Sequence, residues 1–176
     1  MSLRSACATD IAAVTEIYAH YVRHGLASFE VDPPGEEEMA RRHASVSALG
    51  FPYLVAEFDG LVAGYAYAAP YRTRPAYRYT VEDSVYIHHA YAGRGIGSVL
   101  LPALIAACEA VGSRQMVAVI GDSGNHASIR LHEKFGFVRA GLLAAAGWKF
   151  ERWVDSVLMQ RALGAGDTAP PADTRR

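Results

Sequence analysis

The chain has 176 residues, of which 51% are hydrophobic and 20% are charged, and its formal net charge at pH 7 is -1. This composition is typical of one globular domain that can bury a substantial core. The near-zero net charge gives no electrostatic reason to expect binding to nucleic acid or to an anionic membrane surface. We therefore expect small molecules as partners, with no nucleic acid and no membrane.

Cysteine content and chain ends indicate the compartment and the domain limits. Cys7 and Cys108 are too few for a disulfide framework, and no basic segment followed by an apolar one opens the chain. No apolar run approaches the roughly 20 residues that span a bilayer. We predict a cytoplasmic protein with a single domain over 1–163 and a disordered C-terminal tail over 164–176, where bulky apolar residues are almost absent.

The N-terminal part has the pattern of a strand followed by two helices. Residues 3–6 fit a short strand, and Thr9 is a good N-cap for a helix whose apolar residues recur at helical spacing until Gly25. The Pro-Pro-Gly segment 33–35 then interrupts the chain. A polar helix is predicted over 36–49, because its acidic first turn suits the positive end of the helix dipole.

The next part has the pattern of two β-hairpins. Strands are predicted over 53–58 and 61–69, joined by Asp59-Gly60, which is a strong signal for a two-residue hairpin turn. A second hairpin has its loop at 71–76 and its return strand over 77–88. These three strands are expected to be neighbours in one sheet.

The second half of the chain alternates helices and strands. Apolar residues at helical spacing from Ile96 to Ala107 predict a helix that ends at Gly112, and Pro102 inside it predicts a kink without a break. The remaining predicted elements are a buried strand over 116–120, a short helix over 125–135 ended by Gly136, and two strands over 137–143 and 153–159.

A glycine-rich turn joins the third predicted hairpin strand to the following helix. Gly93, Gly95 and Gly97 let the backbone approach a ligand closely and leave N–H groups unpaired at a helix start, where a pyrophosphate binds well. The spacing is not that of a dinucleotide-binding fingerprint, and no Gly-Lys-Ser/Thr follows, so a Rossmann site and a P-loop are both excluded.

Two motifs resemble the GNAT superfamily of N-acetyltransferases. The turn at 92–97 is similar to its Arg/Gln-x-x-Gly-x-Gly/Ala loop, with Ala92 where Arg or Gln is usual and Arg94 able to supply the charge. Residues 125–137 resemble the second motif, Asn-x-x-Ala/Ser followed by Tyr-Glu-Lys-x-Gly-Phe. The resemblance implies an α/β (α+β) fold with a central mixed seven-stranded sheet flanked by about four helices, and acetyl-CoA as co-substrate.

Further segments resemble one branch, the phosphinothricin and methionine sulfone or sulfoximine N-acetyltransferases. The resemblance implies transfer of acetyl to the α-amine of a small amino-acid-like substrate by direct attack in a ternary complex, and a homodimer. The segments are Ala27-Ser28-Phe29-Glu30, residues 71–77, residues 80–87, residues 117–121, and Gly147-Trp148-Lys149-Phe150 with Trp153 and Asp155.

The catalytic residues follow from the chemistry of amide formation. An ammonium must lose a proton before it attacks a thioester, and Glu82 is the predicted base, since it matches the branch's catalytic glutamate. Asp83 points to the opposite face and is the weaker candidate. The resemblance implies that a main-chain N–H near Tyr86 or Ile87, where the family's fourth strand splays from the fifth, stabilises the oxyanion. His132 replaces the usual tyrosine and either protonates the departing thiolate or orients substrate.

The resemblance also implies a set of residues that bind acetyl-CoA. Main-chain groups of the predicted strand pair with the pantetheine amides, main-chain N–H groups of the glycine loop bind the pyrophosphate, and Asn125 bonds the pantetheine arm. For Lys134, a solvated side chain on the helix surface is an equally good interpretation. The predicted residues are Val85, Tyr86, Ile87, Gly93, Arg94, Gly95, Ile96, Gly97, Ser98, Asn125, Ser128 and Lys134.

The hairpin loop is the predicted substrate-binding segment. Arg72 and Arg74, with Thr73 between them, offer guanidinium groups that bind carboxylates well, and at least one arginine is expected to bind substrate. Alternation places the two arginines on opposite faces, so the loop does not predict that both bind. Phe29 and Tyr77 are candidate apolar walls of the substrate site, although aromatic residues beside strands more often belong to the core.

Two alternatives to a small-molecule acetyltransferase make different demands on the same residues. A peptide or protein N-terminal acetyltransferase would need an open acidic groove in place of a loop that carries arginines. A non-catalytic acyl-CoA-binding domain would need no base such as Glu82.

Glu16, His20 and His24 have a spacing compatible with a metal, but they lie beside an apolar helix face without cysteines, and we predict no metal.

Overall fold

A single mixed sheet organises the protein, and the computed structural model describes residues 1–171. The seven strands are ordered β1-β2-β3-β4-β5-β7-β6. The elements are β1 Ser2–Ser5, α1 Ile11–His24, α2 Glu36–Ala48, β2 Tyr53–Phe58, β3 Leu61–Pro70, β4 Thr80–Ile87, α3 Gly97–Ala110, β5 Gln115–Gly121, α4 His126–Lys134, β6 Val138–Lys149 and β7 Arg152–Ala162.

The pairing between β4 and β5 determines where the sheet opens. These two strands are parallel and are paired only from Thr80 with Gln115 to Asp83 with Ala118. β4 continues to Ile87 and β5 to Gly121, while β4 keeps its antiparallel pairing with β3 as far as Ile87. The two parallel strands therefore diverge after Asp83, and their ends leave a gap within the sheet.

The helices cover the two faces of the sheet and bury two clusters of apolar side chains. On one face Leu100 and Leu104 of α3 pack with residues of β3, β5 and β7. On the other face Val14 and Ile17 of α1 pack with α2 and with Tyr65 of β3. Burial of these fully enclosed side chains stabilises the sheet, since each contributes about 1.5–3 kcal/mol of transfer free energy.

The predicted order of elements agrees with the structure. Asp59 and Gly60 form the turn of the β2–β3 hairpin with φ of 52° and 79°, which is the left-handed backbone that this turn requires. Pro102 lies inside α3 without ending it. The seven-stranded fold with four α-helices is thus confirmed within the described residues.

Some predicted boundaries are wrong for local reasons. Thr9 is not the N-cap of α1, because it lies inside a 3₁₀ turn over Ala8–Asp10 whose Asp10 carboxylate accepts from the Cys7 N–H. The strand predicted from residue 77 begins at Thr80, because Pro75–Tyr77 forms another 3₁₀ turn. The last two strands are longer than the apolar patterns that predicted them.

An irregularity in β6 accounts for its unexpected length. The register with β7 shifts between Leu143 and Gly147, and Ala145 inside this bulge has φ of 51°. After the bulge the alternation resumes, so that Trp148 is exposed while Lys149 is buried. A two-residue turn, Phe150-Glu151, then leads into β7.

The C-terminal segment follows β7 along α3 and β5. The Gly164 N–H donates to Glu109 at 3.1 Å, and the Arg114 guanidinium donates to the carbonyl oxygens of Gly166 and Ala169 at 2.9 and 2.6 Å. The predicted boundary at residue 163 and the predicted disorder of the tail stay predictions, and residues 172–176 lie outside the described residues. None of the helices in 1–171 is long and apolar enough to cross a bilayer.

Candidate active site

The gap between β4 and β5 contains a polar cavity. Beyond the last strand pair, Asp83 with Ala118, the two strands no longer bond each other and the space between them is open. This splay cavity is bordered by Asp83, Ser84, Val85, Tyr86, Asn125 and His132, among others. Several predicted catalytic and cofactor residues, far apart in sequence, therefore meet at one place.

A larger cavity of about 510 Å³ adjoins the splay cavity and contains Glu82. Ala27, Ser84, Tyr86, Val119 and Gly121 border both cavities, so the two spaces share a wall. The other side chains that line the larger one include Tyr18, Phe29, Glu30 and Tyr67. We call this space the Glu82 cavity.

Glu82 has the environment of a general base. Its side chain points to the face of β4 opposite to Asp83, as strand alternation predicts. Burial raises the pKa of Glu82, the charge of Asp83 raises it further, and the positive charge of Arg72 opposes the rise. A carboxylate with a raised pKa is a stronger base, and the ammonium of a substrate transfers its proton to it more readily.

His132 and Asp83 form a buried pair. The Asp83 Oδ2 lies 3.0 Å from His132 Nε2, and the Ser128 carbonyl oxygen lies 2.7 Å from His132 Nδ1. A carbonyl and an ionised carboxylate only accept, so both ring nitrogens donate and the ring is an imidazolium. Burial alone lowers the pKa of His132, but the hydrogen bond and charge of Asp83 and the Ser128 carbonyl raise it overall above its ordinary value.

The second oxygen of Asp83 is an acceptor without a partner. Asp83 Oδ1 is buried and has no hydrogen-bond partner among residues 1–171. Asp83 as a residue borders the splay cavity, although this oxygen is itself buried. Sequence reasoning placed Asp83 on the correct face but missed its contact with His132, since no pattern indicates a pair 49 residues apart.

The glycine loop has the open backbone that the sequence predicts. Gly93 and Gly95 have φ of 77° and 80°, and apart from the adjacent residues no atom of 1–171 lies within 4 Å of the position that a Cβ would occupy on either glycine. Gly97 differs, because a Cβ there would lie 3.0 Å from Leu131. Gly97 thus lets α3 pack against α4, and the side chain of the adjacent Ile96 is buried in the core.

Three of the predicted cofactor residues on α4 lie near the start of α3 or at the splay. Lys134 Nζ donates to Ser98 Oγ at 3.1 Å, which joins the end of α4 to the first turn of α3. Asn125 Oδ1 accepts from the Ser128 N–H at 3.2 Å and so caps α4. Both Asn125 and Ser128 border the splay cavity.

The Arg94 guanidinium lies over aromatic rings beside the glycine loop. Its central carbon is 5.5 Å from the ring centroid of Phe58 and 5.4 Å from that of Tyr91. Cation–π contacts of this kind hold the charge close to the loop backbone. Arg94 is therefore available as the cation that Ala92 does not supply.

The predicted substrate residues divide between two cavities. Phe29 lines the Glu82 cavity. Arg72, Thr73, Arg74 and Tyr77 line a separate cavity, where the Arg72 guanidinium stacks on Tyr71 with 4.8 Å between its central carbon and the ring centroid. Arg72 is nevertheless close enough to Glu82 for its charge to act on the carboxyl pKa. The charge of Arg72 therefore acts on Glu82, although the arginine loop and Glu82 line two separate cavities.

A polar network on the wall of the Glu82 cavity was missed by sequence reasoning. The Tyr18 hydroxyl lies 2.8 Å from Ser28 Oγ and donates to Glu30 at 2.9 Å, and Arg42 donates to Glu30 at 2.6 Å. Burial raises the pKa of Tyr18 to about 12, so its hydroxyl stays protonated at neutral pH. The only available signal was the segment 27–30, which carries the branch resemblance but does not indicate these partners.

No group of three or more metal-ligating side chains is arranged to hold an ion within 1–171. His20 instead stacks on His89 with 4.2 Å between ring centroids and lies 5.0 Å from His24.

Comparisons with known proteins agree with this geometry. A sequence profile of the Acetyltransferase (GNAT) family matches residues 13–137. The chain belongs to the GNAT acetyltransferase family. The motif resemblance at the glycine loop and at 125–137 is thereby confirmed, as is the fold that it implied.

Individual relatives of this GNAT protein include two curated enzymes. A phosphinothricin N-acetyltransferase of Alcaligenes faecalis is 57% identical over 162 residues, which cover 92% of this chain and 82% of the relative. An L-methionine sulfoximine/L-methionine sulfone acetyltransferase of Salmonella typhimurium is 41% identical, covering 93% of this chain and 95% of the relative. The predicted branch is confirmed, and the chain is an N-acetyltransferase.

A solved structure shares the whole architecture of this GNAT protein. It is a GNAT superfamily phosphinothricin acetyltransferase from Sinorhizobium meliloti in complex with AcCoA, with a TM-score of 0.95 and 45% identity. The superposition covers 98% of this chain and 94% of that one.

The Asp83–His132 pair generates a prediction about stability. Asp83→Asn leaves the buried imidazolium without its charge partner, a change that costs about 3 kcal/mol in comparable buried pairs. The pKa of His132 is raised in the folded protein. The contribution of the Asp83–His132 pair to the free energy of unfolding is therefore complete below the unfolded pKa of about 6.5, and it is lost as the pH rises through the folded pKa. Thermal unfolding of both proteins is measured from acid to alkaline pH.

The difference in Tm between wild type and Asp83→Asn should be largest near the acid end and shrink on the alkaline side. A difference that stays constant across the range would show that the pair is not ionised in the folded protein.

Proposed function

We propose that this chain transfers the acetyl group of acetyl-CoA directly to the α-amine of a small amino-acid-like substrate of the phosphinothricin, methionine sulfoximine or methionine sulfone type. The observation that carries the proposal is a half-buried carboxylate with a raised pKa, Glu82, at the point where β4 leaves β5. The relatives named phosphinothricin and methionine sulfoximine acetyltransferases support the substrate class.

Acetyl-CoA supplies an activated acetyl thioester, and this chain offers residues that fit it. Open backbone at Gly93 and Gly95, followed by the start of α3, suits the pyrophosphate. Main-chain groups of β4 from Val85 to Ile87 have no partner on β5 and suit the pantetheine amides. The remaining cofactor-binding residues of the proposal are Arg94, Ile96, Gly97 and Ser98 through the loop, and Asn125, Ser128 and Lys134 at α4.

Glu82 and β4 perform the steps at the amine and at the carbonyl. Glu82 removes a proton from the substrate ammonium, and the free amine then attacks the acetyl carbonyl. A main-chain N–H near Tyr86 or Ile87 donates to the oxyanion that forms, because β4 is unpaired on this side. Collapse of the tetrahedral intermediate breaks the C–S bond and releases a thiolate, and the second proton of the attacking nitrogen passes to this thiolate or to solvent.

His132 supports the departure of the thiolate through its charge. Both ring nitrogens donate to Asp83 and Ser128, so transfer of the Nε2 proton would break the bond to Asp83. This arrangement favours an orienting and electrostatic role over that of a direct proton donor, and solvent can protonate the thiolate. Loss of His132 is therefore expected to matter less than loss of Glu82.

Arg72 and Arg74 are the proposed partners of the substrate carboxylate. Phe29 lines the Glu82 cavity, while Thr73 and Tyr77 share the arginine cavity. The Glu82 cavity already contains Glu30, whose charge is paired with Arg42. A negatively charged group of the substrate is therefore expected to extend out of that cavity and toward the arginine loop, with its ammonium near Glu82.

We also propose that the protein is a cytoplasmic homodimer. β6 is the edge strand of the sheet, and apolar side chains on β6 and β7 are exposed. Edge strands and contiguous apolar patches are frequent interfaces between copies of a chain. The exposed residues are Val138, Leu142, Leu143, Trp148 and Trp153.

The first test concerns the base. Glu82→Gln should keep acetyl-CoA binding and lower kcat by about 10²- to 10⁴-fold, the usual range for a lost general base. In the wild type, kcat/KM should fall as the pH falls through the raised pKa of Glu82, because only the carboxylate accepts a proton. Thiol release from acetyl-CoA is measured with a panel of amino acids across pH.

Glu37→Gln is the matched control, since Glu37 is exposed in the first turn of α2. Activity of Glu82→Gln equal to that of this control would remove Glu82 from the mechanism. Absence of thiol release with every amine in the wild type would overturn the proposed function.

The second test concerns substrate charge. Arg72→Ala or Arg74→Ala should reduce kcat/KM for a substrate with a free α-carboxylate by roughly one to two decades, since a charge-assisted contact contributes about 1.5–3 kcal/mol. The corresponding carboxamide is the control substrate and should lose much less. Equal losses on the acid and its amide would show that the loop is structural and would contradict the amino-acid assignment.

The third test concerns the homodimer. Light scattering of the wild type should give twice the chain mass of 19.0 kDa, and Leu142→Asp should shift the protein toward one chain mass because it buries a charge in the interface. Leu61→Asp is the control, since Leu61 is equally exposed but lies in the β2–β3 hairpin. A wild type at 19.0 kDa would contradict the proposal.

A further inference from the structure

One wall of the Glu82 cavity consists of chain without helix or strand. Residues 25–30 follow α1 directly, and we call them the 25–30 segment. Ala27, Ser28, Phe29 and Glu30 of this segment line the Glu82 cavity, whereas only Ala27 among them borders the splay cavity. The shape of the amine side of the site therefore depends on what holds this segment in place.

Lys149, the last residue of β6, holds the segment at two positions. Its Nζ donates to the carbonyl oxygen of Gly25 at 2.9 Å and to that of Ser28 at 2.8 Å. The side chain is almost completely buried, with 4% of the residue exposed. Burial lowers the pKa of Lys149, and the negative charge of Glu30 opposes this effect.

A buried ammonium is costly unless its donors are satisfied, and here two main-chain carbonyls satisfy them. These carbonyls lie three residues apart on the segment and 124 and 121 residues from Lys149 in sequence. A single side chain thus fixes both ends of the turn that carries Ala27 and Ser28.

Two glycines show how closely the segment lies on the neighbouring strands. A Cβ on Gly121 of β5 would lie 2.0 Å from the carbonyl oxygen of Leu26, and a Cβ on Gly147 of β6 would lie 2.6 Å from the ring of Phe29. Real Cβ atoms do not approach so closely, so another residue at Gly121 requires movement of the segment backbone, and another residue at Gly147 requires movement of the Phe29 ring. Lys149 follows Gly147 on the same face of β6.

We propose that Lys149 is a positioning residue for the amine substrate: its ammonium holds the 25–30 segment against β5 and β6 and thereby fixes Phe29 and Glu30 in the Glu82 cavity. This inference rests on the proposed function for the identity of the substrate. No side chain of β6 lines that cavity within the described residues. Through Lys149, the proposal nevertheless gives this strand control over the binding of the amine.

The experiment uses the full chain and compares Lys149→Met, which retains the aliphatic volume without a donor, with Lys149→Arg, which can donate to both carbonyls. Hydrogen exchange of the 25–30 amides is measured without ligands. KM for the amine, kcat and the Kd for acetyl-CoA are measured by thiol release and calorimetry.

Lys149→Met should accelerate exchange in the 25–30 segment and raise KM for the amine by about tenfold or more, while kcat and the acetyl-CoA Kd change by less than about threefold. Lys149→Arg should restore most of the wild-type values. A merely structural lysine would affect binding of acetyl-CoA and amine alike, together with exchange across the whole sheet.

Unchanged exchange in Lys149→Met, or an equal loss of affinity for both substrates, would overturn the proposal. If Lys149→Met does not fold, Gly147→Ala is the second test of the proposal. This variant keeps Lys149, and its added methyl group presses on the Phe29 ring. An unchanged KM for the amine in Gly147→Ala would overturn the proposal as well. The exchange measurement needs no substrate, so its outcome stands even if the wild type acetylates none of the amines.

Discussion

The site depends on the point at which β4 and β5 stop pairing. Backbone N–H and C=O groups inside a protein must find partners, and β4 from Ser84 to Ile87 pairs with β3 but with no residue of β5, while the Ile87 carbonyl oxygen accepts from the Tyr21 hydroxyl at 2.7 Å. The edge of β4 that has no strand partner faces the splay cavity, and hydrogen bonds to a ligand inside a protein are stronger than in bulk water. An acyl carrier with amide groups can take the place of the missing strand, and Asp83, Asn125 and His132 border this opening, whereas the arginine loop lines a separate cavity.

Strand alternation at the opening gives two neighbouring carboxylates different roles. Glu82 lies in the cavity on one face, where burial raises its pKa, while Asp83 on the other face is paired with the His132 imidazolium. Two adjacent acids in one strand thus have different environments, and the raised pKa of Glu82 suits acid–base chemistry near neutral pH. The inversion of side chains along a strand achieves this without any insertion or bulge in β4.

Local patterns predicted much of the fold and part of the site. Asp59-Gly60 specified a hairpin, and Gly93 and Gly95 specified an open backbone before α3, because each signal depends on a few adjacent residues. The start of β4 was misplaced because Pro75–Tyr77 forms a turn that periodicity does not register.

Long-range pairs could not be predicted in the same way. The bond between Asp83 and His132 and those between Lys149 and the 25–30 segment join residues that only the folded sheet brings together. Sequence spacing carries no information about such contacts, and the family motifs indicated His132 without its partner.

The bulge in β6 restricts how this strand can change in length. If the bulge did not absorb the change, removal of one residue between Leu143 and Gly147 would reverse every later side chain, because side chains along a strand alternate with a period of two. The ammonium of Lys149 would then reach solvent, and the indole of Trp148 would turn toward the 25–30 segment. Insertions and deletions here are expected to be accepted in pairs of residues, although the strand lies at the edge of the sheet, where length changes are otherwise tolerated.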